Sequence, residues 1–193
     1  AVGTIVNDDS SFPLASLDGA NGFVLPGIDA EDVSGFTVSI VGDVNGDGYD
    51  DLLISGYNAS GGGNFRSGES YVVFGGPGLA ASGVLPLASL DGSNGVVLFG
   101  PDAGQKSGEA VSAAGDINGD GYGDIILGGW RGNSGGDTNN GESYVVFGAA
   151  NFGAGGSIDL GALSGADGFN VTGGMSGDHA GRSVSSAGDV NGD

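Results

Sequence analysis

The stretch Asp43-Val44-Asn45-Gly46-Asp47-Gly48-Tyr49-Asp50-Asp51 returns 73 residues later as Asp116-Ile117-Asn118-Gly119-Asp120-Gly121-Tyr122-Gly123-Asp124. A third copy opens at Asp189 and runs through Asn191 to Asp193. Oxygen-bearing side chains stand at positions 1, 3, 5 and 9, with glycine at 4 and 6. That pattern suits a hard cation: Ca²⁺ takes about six to eight oxygens at about 2.3–2.6 Å, and the glycines let the backbone turn tightly around it. A solvated turn is also rich in Asp, Asn and Gly. Such a turn accounts for acidic composition, but not for the same ligand positions recurring at a fixed interval.

The interval governs more than this loop. Leu14-Ala15-Ser16-Leu17-Asp18-Gly19 returns as Leu87-Ala88-Ser89-Leu90-Asp91-Gly92, and Gly68-Glu69-Ser70-Tyr71-Val72-Val73-Phe74-Gly75 returns unchanged as Gly141 to Gly148. Repetition of this kind marks a repeat architecture. Within one unit the apolar segments are residues 36–41, 52–55, 70–74 and 95–99, and the next unit has them at 110–114, 124–127, 143–147 and 168–172. They are short, rich in Val, Ile, Tyr and Phe, and flanked by glycine, so they read as strands. Four strands per unit is the count of a propeller blade.

Leu52-Leu53-Ile54 and Tyr71-Val72-Val73-Phe74 are apolar at successive positions, which predicts a sheet buried on both faces. Stacked blades bury both faces; a sandwich leaves one wet. A β-solenoid also buries both, but its rungs are usually much shorter than this repeat. Small residues Ser39, Ser112, Ala113, Ser185 and Ser186 in the first strand of each unit suit an innermost strand crowded near an axis. The fold expected is therefore all-β, a partial β-propeller of four-stranded antiparallel blades. The acidic loop is then the hairpin connection between the first and second strands of each blade. Tyr71, Val73 and Leu53 are expected to pack against neighbouring blades.

The 193 residues carry 24 Asp plus Glu against 4 Lys plus Arg, a net charge of −20. That charge repels phosphate backbones and anionic membrane surfaces, which argues against nucleic acid and membrane insertion. It suits a salty, calcium-containing exterior where screening tames self-repulsion. No cysteine is present, so no disulfide supports the fold. No apolar run reaches the 18 or so residues of a membrane span, and residues 1–10 have neither the basic flank nor the apolar core of a secretory leader.

Gly-Asp-Val-Asn-Gly-Asp-Gly-Tyr-x-Asp followed by Leu-Leu-Ile and Tyr-Val-Val-Phe-Gly resembles the FG-GAP repeat, over roughly residues 12–193. That repeat builds the β-propeller of integrin α chains and of many bacterial surface or secreted proteins. The resemblance implies one Ca²⁺ per loop. Its ligands would be Asp43, Asn45, Asp47, the Tyr49 carbonyl and Asp51, then Asp116, Asn118, Asp120, the Tyr122 carbonyl and Asp124. The third loop supplies Asp189, Asn191 and Asp193 but not positions 7 and 9. The phenylalanine that names the motif is present as Phe36 and replaced by Glu109 and Arg182 in the later units. Blades are expected at about 35–100 and 108–173, with an outer strand near Gly22 to Leu25 before them and a third blade starting at 181–193 on an innermost strand, Arg182 to Ala187. Val2-Gly3-Thr4-Ile5-Val6-Asn7-Asp8-Asp9 resembles the closing strand of Calx-beta domains, so residues 1–11 read as the end of such a domain or as a linker.

An EF-hand, which also begins Asp-x-Asn-x-Asp-Gly, needs a bidentate Glu at position 12. Ile54 and Leu127 stand there instead. Catalysis has little support. His179 is the only histidine, its counterparts are Lys106 and Val33, and no Gly-x-Ser-x-Gly elbow occurs. Glu69 and Glu142, copies of each other beside a strand, suggest a structural role. The expected function is a calcium-binding extracellular or cell-surface module for adhesion or ligand binding, whose rim loops, residues 58–64 and 131–140, contact a protein or glycan. The alternatives are a building block of a surface layer, sheath or filament that meets further copies of itself, and a non-catalytic propeller within a larger secreted hydrolase.

Overall fold

The computed structural model describes residues 13–133 and 136–188. The Calx-beta-like stretch 1–11 and the third loop residues Asp189, Asn191 and Asp193 lie outside the described residues. Strands β1 (Val38–Gly42), β2 (Asp51–Gly56), β3 (Glu69–Val73) and β4 (Gly95–Phe99) form one antiparallel meander. Strands β5 (Ala110–Gly115), β6 (Asp124–Gly129), β7 (Glu142–Val146) and β9 (Gly168–Thr172) form a second with the same order. Both first hairpins carry a bulge at the same place, between Ile40 and Gly42 and between Ala113 and Gly115. Such bulges bend the strand end, here just where the acidic loop begins.

A ninth strand was not legible in the sequence. β8 (Ser157–Asp159) leaves the second unit and pairs in parallel with β4 of the first. One repeat earlier, Val84 makes the equivalent parallel bridge to Val24. Residues 22–25 thus take the place of an outer strand, but through a single bridge and not a full strand. Arg182 to Ala187, expected as a third innermost strand, forms no strand. A first strand needs a hairpin partner, and among the described residues no strand lies beside this stretch.

The strand alternation sorts side chains into two cores. Leu53, Val72, Val96 and Leu98 on one face of the first sheet meet Val111, Ile125, Leu127, Tyr144 and Val146 of the second. Ile54, Tyr71 and Val73 on the opposite face are covered by Leu25, Leu79, Leu85 and Leu87. Contact with a neighbouring blade was expected at Tyr71, Val73 and Leu53 alike. Leu53 makes it, whereas Tyr71 and Val73 are roofed by residues 25 and 79–90, whose apolar side chains fold back over that face. The sheets approach most closely along β1 and β5, where the small residues Ser39, Ser112 and Ala113 sit. Every described helical segment is a three-residue 3₁₀ turn.

Candidate metal centre

Each acidic loop spans the hairpin from first to second strand, residues 43–50 between β1 and β2 and residues 116–123 between β5 and β6. The turn closes because Gly46 and Gly48 adopt φ of 80° and 88°, matched by 75° and 92° at Gly119 and Gly121. Side chains with a Cβ disfavour that left-handed region.

Hydrogen bonding is the same in both copies. Asp43 Oδ1 accepts from the Gly46 and Asp47 N–H groups at 2.6 and 3.1 Å, and Oδ2 from Gly48 N–H at 2.8 Å. Asp116 accepts from Gly119, Asp120 and Gly121 at 2.8, 3.0 and 2.9 Å. The side-chain oxygens of Asn45 and Asn118 accept from the N–H of Asp47 and Asp120. Asp47 and Asp120 in turn accept from the N–H of Tyr49 and Tyr122. The amide of Asn45 donates to Asp47 at 3.1 Å, and that of Asn118 to Asp120 at 2.8 Å.

Asp51 and Asp124 are different in kind. They open the second strands, are 1% and 0% exposed, and each ties three segments together. Asp51 accepts from Val44 N–H at 2.9 Å and from Gly75 N–H, just after β3, at 2.8 Å. Asp124 accepts from Ile117 at 2.7 Å and Gly148 at 2.9 Å. Burial pushes the Asp51 carboxyl from its ordinary 3.8 up to about 6. The two N–H bonds pull it down, and the negative charges of Asp47 and Asp43 push it up again. The Asp124 carboxyl is raised for the same reasons. Burial is the main cause of both shifts, with the charge of the neighbouring carboxylates a smaller one.

The sequence-read ligands of the first two loops are therefore brought into one turn each. Among the described residues, no three acidic side chains stand close enough to enclose an ion as placed. Their oxygens are turned onto loop N–H groups instead. A carboxylate or amide oxygen bonded to one N–H keeps a second lone pair. Five oxygen ligands, three of them carboxylates, held in a glycine-turned loop fit calcium in chemistry and number once waters complete the shell. Asp50, at the non-ligand position 8, is exposed.

The other singled-out residues have structural surroundings. Tyr71 donates to Glu69 at 2.6 Å, and burial raises the Glu69 carboxyl. Tyr144 donates to Glu142, which Gln105 also bonds at 2.7 Å, all three being buried. Gln105 was missed because the equivalent position in the first unit is Asp32, so the repeat gave no signal. His179 packs edge-on against Trp130 with ring centres 5.1 Å apart. It shares a left-handed backbone with its counterparts Val33 and Lys106, with φ of 54°, 58° and 59°. The rim stretch at 58–64 borders a cavity of about 330 Å³, lined by Asn58, Ser60, Phe65, Arg66, Asp29 and Glu69 among others.

Two four-stranded antiparallel meanders with shared topology, packed side by side and each carrying its loop at the first hairpin, are β-propeller blades. The family model of the FG-GAP repeat matches residues 34–73 and 107–146, from just before the first strand of each sheet to the end of the third. The chain carries two FG-GAP repeats, a kind that forms propeller modules engaged in ligand and protein interaction. No curated protein matches it. No described helix is long and apolar enough to cross a membrane.

Proposed function

We propose that this chain is a calcium-binding, extracellular or cell-surface propeller module that holds a protein or glycan ligand at its rim. The observation that carries the reading is the duplicated loop. Two copies of one oxygen-rich turn, with the same bonds at the same positions, sit at the same hairpin of adjacent blades. The carboxylates repel one another there, and a divalent cation would turn that cost into a closing force. Calcium at a hundredfold excess over its dissociation constant would stabilise each site by about 2.7 kcal/mol. The reading is of a binding module and not an enzyme: Glu69 and Glu142 accept from the β3 and β7 tyrosines, and the one histidine packs on Trp130.

Calorimetric titration with calcium should report two strong sites on this chain. Asp47→Ala should weaken one of them at least tenfold, whereas Asp50→Ala should leave both within about twofold. Absence of uptake at millimolar calcium, or equal affinities for the two variants, would rule the assignment out. Assembly with further blades of the same kind is a second reading, favoured by the apolar outer face of the second sheet, where Phe169 and Val171 are 39% and 52% exposed.

A further inference from the structure

The two acidic loops touch. A Cβ placed on Gly46 would stand 2.5 Å from Cε1 of Tyr122, so the Tyr122 ring lies directly on the first loop at its position 4. Tyr49, the same residue one unit earlier, is 46% exposed. The Gly123 N–H donates to the carbonyl of Asp43 at 2.8 Å, and the Ala149 N–H to that of Val44 at 2.9 Å. A Cβ on Gly123 would meet the Val41 carbonyl at 2.7 Å. This explains why position 8 is glycine in the second loop and Asp50 in the first: among the described residues, the second alone has this backbone beside it.

Asp43 thus faces two ways. Its side chain is a first-loop ligand, and its carbonyl anchors the second loop at the residues bracketed by Tyr122 and Asp124, that loop's positions 7 and 9. We propose that Tyr122 and Gly123 are positioning residues for the first loop as well as parts of the second, so that the two loops take up calcium as a coupled pair. The proposal rests on the calcium reading above. Filling the first loop fixes Asp43 and Gly46, which sets the Gly123 N–H bond and the seat of the Tyr122 ring. That holds the second loop's last two ligands in place. Coupling through a shared contact is reciprocal, so filling the second loop must favour the first by the same factor.

The test uses calcium alone on the 193-residue chain. Asp47→Ala leaves only the second site and Asp120→Ala only the first. Coupling requires each remaining site to bind roughly fivefold or more weakly than in the wild type, by the same factor in both variants. In the Asp120→Ala protein, filling the first loop should also shift the backbone amide resonance of Gly123. Adding Tyr122→Ala to that background should weaken the first site further, although Tyr122 lies in the other loop and its carbonyl remains. Tyr122→Phe should restore it, because the contact uses the ring and not the hydroxyl. Two wild-type sites that keep their affinities when the other is removed, with a silent Gly123 amide, would overturn the coupling and leave the calcium reading standing. No uptake at all by the wild type would overturn both. Should Tyr122→Ala fail to fold, the two single-site variants decide by themselves.

Discussion

Asp51 and Asp124 are the residues on which each blade hinges. A carboxylate buried at the start of the second strand costs desolvation, and it persists because two backbone N–H groups from different segments require it. For Asp51 the folded-state pKa of about 6 lies above its ordinary 3.8. The sign follows from linkage: a carboxyl raised on folding stabilises the fold when protonated. That contribution is full below about pH 4 and is lost as the pH rises through about 6. In calcium-free buffer, carbon-detected NMR should therefore find the Asp51 carboxyl titrating near pH 6. The chain should also melt at a higher temperature at pH 5 than at pH 7. A bound cation favours the ionised form, so saturating calcium should move the midpoint well below 6 and reverse the order of melting.

At the scale of elements, the loop, the second strand and the end of the third act as one unit in each blade. Gly148, just after β7, donates to Asp124 and has no room for a side chain. A Cβ there would stand 2.4 Å from the Gly123 carbonyl, 2.7 Å from Tyr122 Cβ and 2.9 Å from the Val44 carbonyl. Backbone lies on two sides, so nothing can swing away. Gly148→Ala should destabilise the chain by about 1–3 kcal/mol in denaturant unfolding. Gly155→Ala, at a position with open space and no left-handed backbone, should stay within about 0.5 kcal/mol of wild type. If the two variants unfold alike, the close approach of blade and loop is not what holds this hairpin.

Across the whole molecule, the repeat makes equivalent positions comparable, and they differ in burial. Val96 and Leu98 on β4 are fully buried against the second sheet. Their counterparts on β9, Phe169 and Val171, are 39% and 52% exposed. The parallel strand β8 that pairs with β4 has no counterpart beside β9 among the described residues. An apolar face with an unpaired edge strand promotes association. This chain expressed by itself should sediment as more than a monomer at high protein concentration. The double variant Phe169→Ser, Val171→Ser should shift it toward monomer while leaving calcium uptake unchanged. A monodisperse wild-type monomer at every concentration would contradict the reading of that face.

The strands, the blade topology and the place of the acidic loops follow from local chemistry that the 73-residue repeat displays twice. Short β-branched runs between glycines make hairpins, and glycines at positions 4 and 6 make the loop turn. None of this needs knowledge of distant residues. What the tertiary structure alone decided depends on which chain segments meet. β8 carries only Ser157-Ile158-Asp159, too short and too polar to announce itself, and becomes a strand because β4 offers it an open edge. Tyr71 and Val73 read as a surface for a neighbouring blade until residues 25 and 79–90 are seen to roof them. The difference between Asp50 and Gly123 looks like drift in the sequence. In space it marks the loop that lies against another blade's backbone, where a Cβ does not fit.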